Sequence, residues 1–284
     1  MKKQDYYEQK IIEGEYFYLS VCFDHFNQRI RLDDYRGNLS LIADKVIELA
    51  SKHSYSKAIL YSRREHVHCF VEKGFLLEAI FEGFFHGSHA YALTMYFESA
   101  RKKSDSWLKE DKILQDVLSL PVTKNQGNLP SGYKLRKGTP IDAEMLAGLY
   151  KEVFQVYPTP LNDPGYIKKI MKSNTVFYVI EKEGVLVSSA SACIDYNYAN
   201  AEISDCATLP EHRSHGLMKH LIVRLEKELI SQKIFCAYSI ARALSFGMNA
   251  SLKQLGYKYK GRMMNNCYIY DKLEDMNVWV KDLS

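Results

Sequence analysis

Little in this chain would build a disulfide scaffold, a membrane span or a metal cluster. The six cysteines, at positions 22, 69, 193, 206, 236 and 267, are scattered through apolar stretches, and no Cys-x-x-Cys pair occurs. That is the usage expected of free thiols in the reducing cytoplasm. No apolar run approaches the roughly 20 residues of a membrane helix. The opening Met-Lys-Lys-Gln-Asp-Tyr-Tyr lacks the apolar core of a signal peptide. Metal-ligating side chains gather at His66-Val-His-Cys69, but at spacings that do not share one face of the expected helix, so no metal is expected. The three-glycine dinucleotide fingerprint and the Gly-Lys-Ser/Thr nucleotide loop are both missing. An excess of one charge is missing too. The net charge is +4, with 38 Lys and Arg interspersed among 34 Asp and Glu. Neither a nucleic-acid nor a membrane partner is expected, and a small anionic cofactor would satisfy the surplus.

What is present is an α/β pattern long enough for two domains, at 284 residues. Period-two and period-3.6 runs predict strands over residues 15–22 and 28–32, a helix over 39–50, a strand over 58–61, a helix over 65–73 stopped by Gly74, and strands over 76–84 and 90–97. This first unit is assigned to residues 1–105. Residues 106–131 read as a connecting helix followed by the polar linker Thr123-Lys-Asn-Gln-Gly-Asn-Leu-Pro-Ser-Gly132. The second domain, 132–284, should run strand 133–137, helix 142–153 capped by Thr139 or Asp142, a proline-rich loop over 157–165, helix 166–173 and hairpin strands 175–181 and 185–195. A strand–turn–helix unit follows, then strand 235–240, helix 245–255 stopped by Gly256, and strands 257–264 and 277–281.

The strand–turn–helix unit, Ala201 to Leu221, is the informative stretch. Ile203, Cys206, Ala207 and Leu209 suit a buried strand that Pro210 ends. Leu217, Leu221, Val223, Leu225 and Leu229 mark one face of the helix. Between them, Arg213-Ser214-His215-Gly216 can aim backbone N–H groups at an anion, with the positive end of the helix behind them. A phosphate or pyrophosphate site follows from the physics alone.

The turn resembles the acetyl-CoA motif of GNAT acetyltransferases, Arg/Gln-x-x-Gly-x-Gly/Ala. Arg213 and Gly216 match it, and Met218 departs where a small residue is usual. Four strings narrow the resemblance: Thr208-Leu-Pro-Glu-His-Arg-Ser-His-Gly-Leu-Met218, Ala241-Arg-Ala-Leu-Ser-Phe-Gly-Met-Asn249, Gly261-Arg-Met-Met-Asn-Asn266 and Glu274-Asp-Met-Asn-Val-Trp-Val-Lys281. Together they look like the β-lysine ε-N-acetyltransferases, over nearly the whole chain. The resemblance implies a C-terminal catalytic GNAT domain preceded by a partial GNAT-like α/β domain acting as scaffold or substrate wall. An internal echo agrees: Gly74-Phe75 and Gly256-Tyr257 each close a helix before a pair of strands. The family transfers acetyl from acetyl-CoA to the side-chain amine of (3S)-3,6-diaminohexanoate, which a lysine 2,3-aminomutase makes from lysine. In some organisms the product is a compatible solute.

On that resemblance, Ala207, Thr208 and Leu209 should run along the pantetheine, with the Ala207 or Thr208 N–H as oxyanion donor. Arg213, Ser214, His215, Gly216, Leu217 and Met218 should hold the pyrophosphate. Asn249 should sit beside the pantetheine arm. An alkylammonium has a pKa near about 10.4, so its proton needs an acceptor at neutral pH. Glu202 and Asp205 are the candidates, and a water relay is the alternative. Three residues apart on a strand, the two carboxylates point to opposite faces unless a bulge intervenes. Leu252 stands where many GNAT enzymes carry a tyrosine acid, leaving Tyr238, Tyr257 or solvent for that role. For a small diamine with one carboxylate, Arg242 could clamp the carboxylate or a phosphate. Asp163 could hold the second ammonium or merely cap a helix. Tyr157, Asn265 and Asn266 could complete the wall.

Overall fold

The computed structural model describes residues 6–123 and 127–284. Residues 124–126 of the expected linker lie outside the described residues. The chain begins with β1 (Glu8–Gly14), β2 (Phe17–Asp24), β3 (Arg29–Gly37), α1 (Leu39–Lys52), β4 (Lys57–Ser62), α2 (Val67–Glu72), β5 (Leu76–Phe85) and β6 (Ser88–Tyr96). Two connecting helices follow, α3 (Ser99–Lys102) and α4 (Trp107–Leu118). The second half contains β7 (Tyr133–Lys137), α5 (Ala143–Val153), α6 (Pro164–Ser173), β8 (Thr175–Lys182), β9 (Val185–Asp195), β10 (Asn200–Thr208), α7 (Leu217–Ser231), β11 (Cys236–Arg242), α8 (Phe246–Gln254), β12 (Lys258–Ile269) and β13 (Lys272–Asp282).

All these strands belong to one sheet, in the order β1-β2-β3-β4-β6-β5-β12-β13-β11-β10-β9-β8-β7. The two halves repeat each other. The neighbours β1-β2-β3-β4-β6-β5 match β8-β9-β10-β11-β13-β12, and in each half the third and fourth strands are parallel across a helical crossover. The glycine-closed helix ends noted in the sequence, α2 and α8, occupy equivalent places. The second half adds β7, α5 and α6 in front. This is the α/β architecture of a GNAT domain with a partial copy before it.

The halves meet edge to edge where Gly261 of β12 is registered with Ala79 of β5. Gly261 has φ +134, and a Cβ there would lie 2.2 Å from the Glu78 carbonyl, so only glycine permits this approach. The sheet then folds back on itself. Ile59, Tyr61, Phe81 and Phe84 of the first half form one apolar cluster with Met263, Val278 and Val280 of the second, against which Tyr238 and Ile240 pack. Asn200 Nδ2 donates to the Phe84 carbonyl at 2.9 Å and the His86 N–H to the Tyr198 carbonyl at 3.1 Å. The faces of the two half-sheets opposite α1 and α7 therefore look at each other.

Several elements differ from the sequence reading. β1 is absent from it, because Glu-Gln-Lys-Ile-Ile-Glu-Gly forms a largely exposed hairpin arm with no apolar alternation. β3 and β12 run past their expected ends. β13 starts five residues early, since Glu274 and Asp275 are buried yet polar. The helix expected from Asp142 starts at Ala143, after a 3₁₀ turn closed by a reciprocal Thr139–Asp142 capping box.

Candidate active site

β10 and β11 are hydrogen-bonded only from Asn200↔Cys236 to Glu202↔Tyr238, and then they diverge. A groove of about 720 Å³ opens in the gap. Thr208, Arg213, Ser214, Gly216, Leu217 and Met218 line one wall, and Ser245 to Met248 with Ser251 and Gln254 of α8 line the other. Leu217 and Leu221 anchor α7 in the core behind it.

The turn into α7 is shaped for an anion. Ser214 and Gly216 lie in the left-handed region, at φ 65 and 72. The Arg213 Nε donates to the Thr208 carbonyl at 3.2 Å, closing the turn. Gly216 is the N-cap and supplies no side-chain acceptor, so the first amides of α7 face the groove without a cap. A Cβ at Gly216 would meet no protein atom nearer than Lys219 Cε, at 3.8 Å, so the space above it is open. The equivalent helix of the first half is different. Asn38 caps α1, and its side chain accepts from the Ser40 and Leu41 amides, occupying the place an anion would need. The donor set thus fits the pyrophosphate of acetyl-CoA in the second half, whereas in the first the Asn38 side chain takes the equivalent amides.

The carboxylate pair is arranged by a bulge. The β10–β9 register shifts between Ser204 and Ala207, and Asp205 takes φ 51. Glu202 is registered with Cys193 and Ser204 with Ser191, so all four share a face. The Asp205 Oδ2 accepts from the Ser191 hydroxyl at 2.6 Å, which brings Asp205 to the face of Glu202. Tyr157 donates to the Asp205 Oδ1 at 3.3 Å, and Tyr150 to its carbonyl at 2.8 Å. Asp205 and Tyr157 line the cofactor groove, while Glu202 lies deeper, outside its wall. Burial pushes both carboxyls up. For Asp205 the Ser191 and Tyr157 hydrogen bonds work against that rise. For Glu202 burial prevails over the pull of Arg31 and Arg29, with the Asp205 charge adding to the rise, and its carboxyl reaches about 7. No hydrogen bond among the described residues holds the Glu202 carboxylate.

Arg31 comes from the other half. It is registered with Ile59 on β4, as Glu202 is with Tyr238 on β11. Ile59 and Tyr238 share the apolar cluster between the half-sheets, so Arg31 and Glu202 look across the same seam. Arg31 is ion-paired with Asp33. Arg29 is held by Asp24 at 2.8 Å and by both Asn266 oxygens at 2.8 Å. β3 carries its own register shift, between Ser20 and Val21 of its partner, which leaves Asp33 without a cross-strand register partner, as the β10 shift does Asp205. The sequence reading stopped this strand at residue 32. The available signal was Arg29-Ile-Arg-Leu, in which charge alternates with buried apolar residues.

The remaining expected residues divide. Arg242 lines the groove, but it also pairs with Glu274 at 2.9 Å and lies over the Tyr270 ring at 4.7 Å. Asn266 is outside the groove wall, and both its oxygens accept from Arg29. Asp163 caps α6, accepting from the Gly165 amide at 2.8 Å. The Asn265 side chain donates to the carbonyls of Arg101 and Lys103 and lines a different cavity. Asn249 is fully buried beside the groove. Its amide donates to the Arg242 and Ser245 carbonyls and accepts from Asn277 and Trp279. Ala207, Leu209 and His215 are outside the groove wall, and the His215 Nδ1 donates to the Arg213 carbonyl at 2.8 Å. Leu252 is buried in the core with Tyr257, and Tyr238 belongs to the seam. His66, of the sequence cluster, bonds the Tyr35 hydroxyl, and His68 contacts Cys69.

The comparisons with known proteins agree with this geometry. The profile of the Acetyltransferase (GNAT) family matches residues 144–246, from α5 to the start of α8. An N-acetyltransferase of Bacillus subtilis, YodP, is 38% identical over 267 residues, covering 93% of this chain and 97% of that protein. The β-lysine N(6)-acetyltransferase of Methanosarcina mazei is 36% identical over 88% of this chain and 100% of its own length. That of Methanococcus maripaludis is 30% identical over 96% of this chain and 98% of its own. Similarity therefore extends through the first half as well as the catalytic half. The chain is an acetyl-CoA-dependent N-acetyltransferase of the GNAT superfamily and belongs to the β-lysine N6-acetyltransferase family.

Proposed function

We propose that this enzyme transfers the acetyl group of acetyl-CoA to the ε-amine of β-lysine, (3S)-3,6-diaminohexanoate, to give N6-acetyl-β-lysine. Full-length similarity to two proteins bearing that activity in their names supports the substrate. The observation that carries the reading is the Asp205 bulge, which puts two carboxylates on one face at the inner end of the cofactor groove.

Each residue has a role in this reading. The first amides of α7, with Ser214 and Gly216, hold the pyrophosphate. The amine approaches from the side of the seam on which Glu202 and Asp205 lie. Glu202 takes the ammonium proton, since a carboxyl near 7 is matched to proton transfer at neutral pH. Asp205, fixed by Ser191 and Tyr157, keeps the amine over the opening of the groove. The neutral amine attacks the thioester carbonyl carbon, the carbon–sulfur bond breaks, the nitrogen's surplus proton passes through solvent to the departing thiolate, and the thiol leaves along the groove. Arg31 of the first half supplies a cation for the substrate carboxylate, which gives that half a part in specificity. Thiol release from acetyl-CoA, compared with β-lysine, L-lysine and spermidine, tests the reading.

A further inference from the structure

In the proposed reaction the substrate's ε-amine and carboxylate have partners. Its 3-ammonium has none, since Asp163 caps α6. The repeat of the two halves bears on this gap. In the catalytic half, Ser191-Ala-Cys193 of β9 runs beside β10. Glu202 is registered with Cys193, and the register shift leaves Asp205 without a cross-strand partner three residues on. In the first half, Ser20-Val-Cys22 of β2 runs beside β3. Arg31 is registered with Cys22, and a register shift leaves Asp33 without a cross-strand partner two residues on. The construction is the same with one charge reversed: a cation stands where the catalytic half carries Glu202. Arg31 and Asp33 also face the seam. Ile30 and Leu32 pack into the core under α1, which turns Arg31 and Asp33 to the opposite side. Gln9 of β1, registered with Cys22, donates to the Asp33 Oδ2 at 3.1 Å from that same side. The Arg31 charge acts across the seam on Glu202 and Tyr238.

Both side chains are within reach of a ligand, at 31% and 28% exposure. Arg31 donates to Asp33 with Nε and Nη2. Among the described residues nothing takes its Nη1, which keeps contact with solvent, as the Glu202 oxygens do. Two hydrogen bonds from Arg31 and one from Gln9 leave Asp33 one of the roughly four acceptor positions of a carboxylate. The neighbouring acids are committed elsewhere. Asp24 is buried, with its oxygens on Asn27 and Arg29. Asp34 holds Arg63 at 3.2 Å, which also donates to the Tyr198 hydroxyl. We infer, on the β-lysine reading above, that Asp33 accepts the substrate's 3-ammonium. Arg31 and Asp33 then form one subsite for a carboxylate and an ammonium carried together, at the end of the substrate away from the reacting amine. Carboxylate on Arg31 and ammonium on Asp33 close a ring of alternating charges. A substrate lacking either group leaves one member of the pair unmatched.

The test compares β-lysine with 6-aminohexanoate, which is β-lysine without its 3-amine, by thiol release from acetyl-CoA with the full-length protein. Wild type should favour β-lysine about 10–100-fold in kcat/KM, the worth of one charged hydrogen bond. Asp33→Asn should lower kcat/KM for β-lysine by the same factor, chiefly through KM, and should change that for 6-aminohexanoate by less than about threefold. Asp33→Glu keeps the charge and should restore part of the β-lysine rate. Equal turnover of the two substrates by wild type would overturn the inference, and that comparison holds whether or not the variants fold. An equal loss for both substrates in Asp33→Asn would overturn it too, because Asp33 would then only support Arg31. Either result leaves acetyl transfer to β-lysine standing. Wild type that acetylates neither substrate would overturn the proposed reaction, and this subsite with it.

Discussion

Replacing Glu202 by glutamine removes one proton acceptor and keeps the shape of the seam. If Glu202 takes the ammonium proton, turnover should fall about 10²–10⁴-fold, the usual contribution of a positioned base. Acetyl-CoA affinity should stay within about twofold, because the α7 turn is untouched and Glu202 lies outside the groove wall. In wild type, kcat/KM should climb as pH rises through about 7, where this carboxyl ionises. That inflection should vanish in the variant. Stability gives a second readout with a definite sign. The folded protein holds the Glu202 proton up to about 7, against 4.5 for an ordinary glutamate. Ionisation therefore opposes folding. The cost is absent below about 4.5, grows as pH rises to about 7 and is complete above it. Its upper bound is about 3 kcal/mol, at 1.36 kcal/mol for each pH unit. Glu202→Gln should thus melt higher than wild type at pH 8 and equally at pH 4.5. Thiol-release kinetics and circular-dichroism melts would read both effects. Near wild-type turnover in Glu202→Gln, with a large loss in Asp205→Asn, would refute the assignment and move the base to Asp205.

Three other substitutions bear on the site. Gly216→Ala places a Cβ at φ 72, which should cost about 1–2 kcal/mol by thermal melting and fill the open space above the turn, so acetyl-CoA affinity should fall at least about tenfold; unchanged affinity would displace the pyrophosphate from α7. Tyr157→Phe removes one donor to Asp205 and should lower kcat about 2–10-fold with little change in acetyl-CoA KM; a rise in that KM alone would make Tyr157 a cofactor contact. Asn249→Ala strands the Trp279 and Asn277 donors, so it should lower stability by about 2–4 kcal/mol in denaturant titration; undiminished stability with weakened acetyl-CoA binding would return Asn249 to the cofactor.

The catalytic half was largely legible because its signals are local. Gly184, Gly256 and Pro210 mark turns, helix stops and a strand end, and the apolar face of α7 follows a clean helical period. Positive φ at Gly216 is what glycine is for. Positive φ at Asp205 is not announced by its residue type, so the bulge was open in the sequence and the orientation of the two carboxylates with it. The meeting of Arg31 and Glu202 at the seam was hidden for another reason. Arg31 and Glu202 are more than half the chain apart, and only the edge joint at Gly261 and the folded-back sheet bring them to one seam. Polar composition misled at the start of β13, where Glu274 and Asp275 read as a loop but are buried by an ion pair and a backbone amide bond.

The most direct measurement is the product formed from acetyl-CoA and β-lysine, with the modified nitrogen located by NMR and the rate set beside those for L-lysine and spermidine. The account predicts acetylation at the terminal amine, with kcat/KM for β-lysine exceeding the other two by at least about 10²-fold, as expected where buried charges must all be matched by the substrate. Acetylation at the 3-amine, or spermidine consumed faster than β-lysine, would contradict it.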